Sequence, residues 1–275
     1  MAKITSQAVP LSLQIAPMEQ VLLHEKTDPR RVDRLVARLE ADGILSNPPI
    51  VIKSDKNYVV LDGATRTVAF KELNYPHIVV QVVSPDNGVS LRTWYHVICS
   101  VTQSELVGIL EAIPEVESVK SNPQKGLDEM DNSLCYLHTA ADDVFVIKVA
   151  PGVNPFQALN RLTETYITST HVERTLNHDM AKLKNDFPNL AALVVFPEYT
   201  IDRVLQIAQS GQLMPTGITR FIIKGRVLRL NADLNYLKSD RPLAEKNEWL
   251  QQLVVEKWGN GAVRYYEEPV YLLDE

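Results

Sequence analysis

The sequence predicts a mixed α/β protein of the α+β class, and three observations support this prediction. Short β-rich runs alternate with segments of helical periodicity along most of the chain. With 275 residues, of which 45% are apolar and 23% charged, the chain can bury a substantial core. A polar, proline-containing stretch at residues 118–132 is typical of a connection and predicts a boundary between about residues 100 and 130. We therefore expect two subdomains, residues 1–100 and 101–275, the second also α/β.

The first predicted helix covers residues 29–40. Four apolar residues between Val32 and Leu39 follow the spacing i, i+3, i+4 and i+7, which places them on one buried face. Asp28 is a suitable N-cap, and Pro29 fits the first helical position because it has no N–H to satisfy there.

A strand pair and a strand-to-helix turn follow this helix. Residues 49–52 and 58–61 are β-rich and flank the polar turn SDKN, which predicts a hairpin or a tight strand pair. The second of these strands continues into "VVLDGATRTVAFKELNY", residues 59–75, where a helix begins within three residues of the Asp-Gly pair. Residues 77–83 are predicted to form the next strand.

The rest of the chain continues the alternation of strands and helices. The predicted helices cover residues 103–112, 156–168, 176–186, 201–209 and 244–258. The predicted strands cover residues 134–138, 144–149, 191–196, 219–223 and 227–230.

Composition narrows the possible partners. The net charge of −6 argues against a long nucleic-acid surface, because affinity for phosphate backbones comes mainly from clustered Lys and Arg. No apolar run is long enough to cross a bilayer, and the opening segment has no basic flank followed by a long apolar block, so we expect neither a membrane span nor a leader. Cys99 and Cys135 lie in no metal-binding or redox motif, so we expect reduced thiols in a cytoplasmic protein.

The turn at residues 62–67 is the first candidate site. A strand that runs directly into a helix presents the unpaired N–H groups of the first helical turn, and anions bind to such groups. Gly63 allows a ligand close to the backbone, Arg66 could bind phosphate oxygens bidentately, and the hydroxyls of Thr65 and Thr67 could add donors. Asp62 is placed to hold Mg²⁺ or to orient a nucleophile. The same pattern also fits a plain turn with a surface salt bridge, because a short D-G-x-x-R is a weak motif.

Several ordered motifs resemble one branch of the ParB/sulfiredoxin superfamily. "PPIVI", the box from Asp62 to Arg66 and "IVVQVV" are similar to its N-terminal nucleotide-binding core. "LLHEKTDP", "EADGILSNPPIVI", "LRTWYH", "MPTGITRFIIKGRVLRLN" and "VYLLDE" resemble segments of the free L-serine kinases, a group that includes the kinase of the staphyloferrin B siderophore pathway. The sulfiredoxin cysteine is absent from the box, and so is the Glu-Arg of the chromosome-partitioning ParB proteins.

This resemblance implies a Mg²⁺-dependent phosphotransferase. Its reaction would transfer a phosphoryl group from ATP or ADP to L-serine, giving O-phospho-L-serine for siderophore, diaminopropionate or cysteine synthesis. Glu25 would be the catalytic carboxylate and Asp62 would assist it or hold Mg²⁺, while His24 would position Glu25 or contact the substrate.

The resemblance also implies the binding residues. Gly63, Ala64, Thr65, Arg66 and Thr67 would hold the nucleotide, although Thr65 stands where the family has a titratable His.

Residues of the later motifs would bind the serine substrate. Thr219 and Arg220 would bind the serine carboxylate or the product phosphate, and Trp94 would form a wall of the pocket. The alternative is a ParB-like nucleotide-binding transcription regulator or partition-type DNA-binding protein. Such a protein would not need Glu25 and would need a basic recognition helix, which the sequence does not show. The oligomeric state is left open.

Overall fold

The computed structural model describes residues 11–86, 88–123, 126 and 132–266. The strands are β1 Leu13–Pro17, β2 Val21–Leu22, β3 Ile44–Leu45, β4 Ile50–Ser54, β5 Asn57–Asp62, β6 His77–Val83, β7 Val89–Thr93, β8 Tyr95–Cys99, β9 Val116–Ser121, β10 Cys135–Thr139, β11 Val144–Val149, β12 His171–Thr175, β13 Leu190–Val195, β14 Thr219–Ile223 and β15 Ala232–Asp233. The helices are α1 Pro29–Asp42, α2 Ala64–Glu72, α3 Gln103–Glu111, α4 Pro155–Ser169, α5 Met180–Asp186, α6 Ile201–Gln209, α7 Leu234–Lys238 and α8 Leu243–Gly259. The predicted mixed α/β class is confirmed.

The chain forms two compact units. Unit 1 combines residues 1–90 with residues 222–275, and unit 2 consists of residues 91–221. The predicted domains, residues 1–100 and 101–275, stay a prediction. The compact units have other bounds than these domains, because the chain returns to unit 1 after residue 221.

Unit 1 is built on a five-stranded mixed sheet in the order β1-β6-β4-β5-β2. Strands β4 and β5 pair antiparallel, as the predicted hairpin requires. Helices α1 and α8 contribute Val32 and Leu250 to the apolar core, where both side chains are buried. The side-chain amide of Asn247 on α8 accepts from the backbone N–H of Ile15 at 2.9 Å and donates to its carbonyl at 3.2 Å. Helix α8 therefore provides hydrogen-bond partners for the backbone of the edge strand β1.

Unit 2 is built on a six-stranded antiparallel sheet in the order β12-β8-β13-β10-β11-β9. Helices α3 and α4 cover one face, with Leu106, Leu162 and Tyr166 in the main apolar cluster. A second cluster, which includes Met180 and Leu183 of α5, packs against other residues of the same strands. Among the residues that the structure describes, no helix is both long and apolar enough to cross a lipid bilayer.

Three local predictions need correction. Residues 118–132 are not a plain connection, because β9 begins at Val116 and pairs with β11 at the sheet edge. Residues 227–230 form no strand, since their backbone groups bond to side chains and a loop. The helix predicted from residue 176 begins at Met180, where the Asp179 carboxylate caps the backbone N–H of Ala181. The rest of residues 118–132 and the segment "VYLLDE" lie partly or wholly outside the described residues.

Candidate functional site

The turn between β5 and α2 has the predicted geometry. Strand β5 ends at Asp62, Gly63 has φ of +95°, and α2 starts at Ala64 without a side-chain cap. The left-handed conformation of Gly63 makes the abrupt change from strand to helix possible. The half-buried Thr65 also lies in the first helical turn. This turn can therefore present backbone N–H groups to an anion.

Gly63→Ala is expected to destabilise unit 1 more than the same change at Gly43. A Cβ at Gly63 would lie 3.0 Å from Pro49 Cα and 3.0 Å from Arg66 Nη2, in addition to the strain of a positive φ. Gly43 has φ of +65°, and a Cβ there would meet nothing within 4 Å, so this position measures the backbone strain alone. We expect losses of about 2–3 kcal/mol at Gly63 and about 1 kcal/mol at Gly43 in urea unfolding. Equal losses would show that the close packing at Gly63 is unimportant.

Arg66 and Thr67 stabilise this turn through side-chain hydrogen bonds. Nη1 of Arg66 donates to the carbonyls of Asn47 at 2.5 Å and Pro48 at 3.1 Å, and its Nη2 donates to Asp62 Oδ2 at 3.2 Å. Thr67 is buried, and its hydroxyl donates to the Gly63 carbonyl at 3.1 Å. In this structure the predicted phosphate-binding fork of Arg66 is therefore engaged with the loop before β4 and with Asp62.

Arg226 is a second cation on Asp62, and it was not predicted from the sequence. Its Nη1 donates to Asp62 Oδ2 at 2.7 Å, and the two side chains are 36% and 40% exposed. Burial by itself raises the pKa of Asp62, but the positive charges of Arg66 and Arg226 outweigh it and hold the pKa below its ordinary value. Asp62 is therefore a carboxylate at neutral pH. The local sequence signal was the Lys-Gly-Arg run from Lys224 to Arg226, which lies within the segment "MPTGITRFIIKGRVLRLN".

His24 and Glu25 follow β2 in unit 1. The His24 ring is buried, and its Nδ1 lies 2.7 Å from the carbonyl oxygen of Val60. Because a carbonyl only accepts, Nδ1 carries the proton. Burial lowers the pKa of His24 to about 4, so the ring is neutral at pH 7. Glu25, the predicted catalytic carboxylate, is half-buried and belongs to an isolated β-bridge.

Trp94, Thr219 and Arg220 come together in unit 2. The Arg220 guanidinium lies over the Trp94 ring, 4.4 Å from its centroid, and the backbone N–H of Trp94 donates to the Ile218 carbonyl at 2.8 Å. Thr219 is the first residue of β14 and is half-buried. The aromatic ring orients the guanidinium without consuming its N–H donors, so Arg220 can bind a carboxylate.

His96 anchors the loop that precedes Thr219 and Arg220. The ring is buried, with Nε2 3.1 Å from the Gly217 carbonyl oxygen and Nδ1 2.6 Å from the Tyr166 hydroxyl. Nε2 therefore donates, and Nδ1 accepts from Tyr166. The match of "LRTWYH" to the family motif thus includes a histidine that holds the backbone in place.

The stability of the protein is expected to fall as the pH drops below about 6.5. Burial lowers the pKa of both His24 and His96 from 6.5 to about 4. Between these values the unfolded chain binds protons that the folded chain does not, so acid favours unfolding. The loss at pH 5 should be on the order of 2 kcal/mol for each histidine, measured by urea unfolding at pH 7.5 and 5.

A substitution at His96 tests the contribution of one of these two histidines. His96→Gln should reduce the difference in unfolding free energy between the two pH values. An unchanged difference in His96→Gln would contradict the prediction.

The described part of the chain contains no cluster of three His, Cys, Asp or Glu side chains able to form a metal site. Asp62 was predicted as a metal ligand, and it has two guanidinium groups on Oδ2. A metal ion at Asp62 would need most of its ligands from a bound molecule and from water. This is the usual way in which Mg²⁺ is bound beside nucleotide phosphates.

The chain is similar to curated L-serine kinases. It is 26% identical over 268 residues to the ATP-dependent L-serine kinase SbnI of Staphylococcus aureus, and the match covers 96% of this chain and 97% of that protein. It is 30% identical over 116 residues to the ATP-dependent L-serine kinase of Staphylothermus marinus, covering 41% of this chain and 44% of that protein. No family model matches the chain.

Solved structures share the fold. SbnI from Staphylococcus aureus with a C-terminal truncation has a TM-score of 0.70 at 22% identity, covering 90% of this chain and 97% of that one. A free serine kinase in complex with AMP has a TM-score of 0.72 at 13% identity, covering 82% of this chain and 94% of that one. The resemblance seen in the motifs therefore extends over nearly the whole chain and its fold.

Proposed function

We propose that this chain is a free L-serine kinase that transfers the γ-phosphoryl group of ATP to the hydroxyl of L-serine. The observation that carries the proposal is the similarity to an ATP-dependent L-serine kinase over 96% of the chain. The products are ADP and O-phospho-L-serine, a precursor for siderophore, diaminopropionate or cysteine synthesis. The proposed location is the cytoplasm, where ATP is available and where the two free, buried cysteines stay reduced.

Glu25 is proposed as the general base. The serine oxygen forms a bond to the γ-phosphorus while the bond from phosphorus to the β–γ bridging oxygen breaks, and Glu25 accepts the hydroxyl proton. The neutral, buried His24 beside it fixes the backbone, because its Nδ1–H is bonded to the Val60 carbonyl. His24 then contributes to the serine site through the position of Glu25.

The nucleotide phosphates are proposed to bind at the first turn of α2. Gly63, Ala64 and Thr65 provide a backbone that a phosphate can approach, and the Thr65 hydroxyl can donate to it. Thr67 supports the turn through its bond to the Gly63 carbonyl, and Arg66 holds the loop at Asn47 and adds positive charge. Electrostatic stabilisation of this kind is a major part of phosphoryl transfer.

Asp62 is the residue proposed to hold Mg²⁺ together with the nucleotide. The chemistry of the residues fits this role, since Mg²⁺ commonly takes one or two carboxylates and several phosphate and water oxygens. When bound, the ion would neutralise charge on the transferred phosphoryl group. The chain itself contributes an ionised carboxylate whose Oδ2 accepts hydrogen bonds from Arg66 and Arg226.

Serine recognition is proposed to depend on Trp94, Thr219 and Arg220. The guanidinium of Arg220, held over the Trp94 ring, is suited to the substrate carboxylate, and the Thr219 hydroxyl can add a hydrogen bond. These roles predict that changes at the three residues alter the KM for serine more than the KM for ATP.

The decisive experiment is an assay of the purified chain with L-serine, Mg²⁺ and either ATP or ADP. O-Phosphoserine is detected by mass spectrometry and phosphorus NMR, and a reaction with EDTA tests the metal requirement. We expect product with ATP and Mg²⁺ and none with EDTA. Absence of product with both nucleotides, with nucleotide binding intact by calorimetry, would overturn the kinase proposal and favour another acceptor or a regulatory protein.

A further inference from the structure

We propose that Arg226 is a positioning residue that fixes the direction of the Asp62 carboxylate. This inference rests on the proposed kinase function, because its main readout is serine phosphorylation. Arg226 lies 164 residues from Asp62 in sequence and reaches it after the chain has returned to unit 1.

The two arginines on Asp62 have different contacts. Arg226 Nη1 lies 2.7 Å from Asp62 Oδ2, whereas Arg66 Nη2 lies 3.2 Å from the same oxygen. Arg66 also donates to the carbonyls of Asn47 and Pro48. Arg226 therefore makes the shorter bond to Asp62, and Arg66 divides its donors between the carboxylate and the loop.

The backbone that carries Arg226 is anchored on both sides of it. The buried side-chain amide of Gln81 donates to the Gly225 carbonyl at 2.8 Å and accepts from the Val227 backbone N–H at 2.9 Å. Further along, the backbone N–H of Arg229 donates to the Asn47 side chain at 2.9 Å. Because Gln81 belongs to β6 of the same sheet as Asp62, the position of Arg226 is fixed relative to the carboxylate.

Two guanidinium donors on one oxygen restrain rotation of the carboxylate. With Oδ2 held by Arg226 and Arg66, Oδ1 keeps a single direction, which is what a group that orients a reacting oxygen or an ion requires. The pair is more than a third exposed, so it adds little to folding stability. The effect of removing Arg226 should therefore appear in turnover.

The test compares Arg226→Gln, Arg226→Lys and the control Arg229→Gln. We expect Arg226→Gln to lower kcat about tenfold, with the KM values for ATP and serine within about twofold, and Arg226→Lys to restore part of the loss. Arg229 lies three residues away and bonds to Asn47 through its backbone N–H, a bond that the substitution keeps, so Arg229→Gln should have wild-type kcat. Unchanged kcat in Arg226→Gln would overturn the proposal.

A double-mutant cycle tests whether Arg226 acts through Asp62. In a chain that already carries Asp62→Asn, adding Arg226→Gln should lower kcat no further. A full additional tenfold loss there would mean that Arg226 acts on the substrate directly, against the proposal.

A measurement without turnover separates the failure of this inference from the failure of the kinase function. Nitrogen-15 NMR of arginine side chains should show slowed rotation of the Arg226 guanidinium, assigned by its loss in Arg226→Lys and abolished by Asp62→Asn. A wild-type chain without kinase activity but with this signal would refute the kinase function and leave the contact established. Absence of the signal in the wild type would refute the positioning role.

Discussion

Glu25→Gln is expected to lower kcat for serine phosphorylation by roughly 10²- to 10⁴-fold, the range that a general base contributes. The substitution keeps the size of the side chain and removes its ability to accept the hydroxyl proton. Glu25 is half-buried and directly follows the buried His24, whose ring is bonded to the Val60 carbonyl, so the backbone at this position should remain in place. Binding of ATP, measured by calorimetry, should stay within about twofold of the wild type, because the base contacts the acceptor.

The matched control for this prediction is Glu19→Gln. Glu19 is an exposed glutamate of the same unit, in the 3₁₀ turn Met18–Gln20, and its substitution makes the same change in charge. It should leave kcat and the KM values unchanged. Full activity in Glu25→Gln would exclude Glu25 as the base and assign proton transfer to another group or to water.

Arg220→Ala is expected to reduce kcat/KM for serine by roughly 10- to 150-fold, since a hydrogen bond to a charged group contributes about 1.5–3 kcal/mol. Most of the loss should lie in the KM for serine, because the substrate carboxylate is present equally in the ground state and the transition state. Arg220→Lys should recover only part of the loss, since a lysine lacks the planar fork that stacks on Trp94.

Steady-state kinetics with each substrate varied in turn will test this assignment. Arg203→Ala, at an exposed arginine of α6 in the same unit, is the control for the loss of charge, and it should keep the wild-type KM for serine. An equal rise in the KM for ATP and the KM for serine in Arg220→Ala would contradict a role specific to serine.

The sequence by itself determined the elements whose signals are local. Apolar spacing and the Asp28 N-cap predicted α1, and the cap is present, with the Asp28 carboxylate accepting from the Arg30 backbone N–H. The Asp-Gly pair at the end of an apolar run predicted the turn into α2, because a left-handed glycine permits that change of direction. Asp62 and Arg66 are four residues apart across this turn, so their ion pair was within reach of the sequence pattern.

Several strands were not predicted from the sequence, and they include the edge strands β9 and β12 as well as the interior strand β8. Strand β9 carries mostly exposed residues, because one side of an edge strand has no neighbour in its sheet, so its polar composition was interpreted as a connection. The opposite edge strand, β12, is also largely exposed and was not predicted. In both cases the strand depends on pairing with a distant partner, β11 or β8.

Only the tertiary structure placed Arg226 on Asp62. Residues 227–230 have the composition of a strand, but the backbone N–H of Val227 donates to the Gln81 side chain and that of Leu230 donates to the Ser46 carbonyl. These bonds form after residues far apart in the chain have been brought together, and no local pattern encodes them. The sequence therefore determined the turn that carries Asp62, whereas the return of the chain to unit 1 decided which charges surround it.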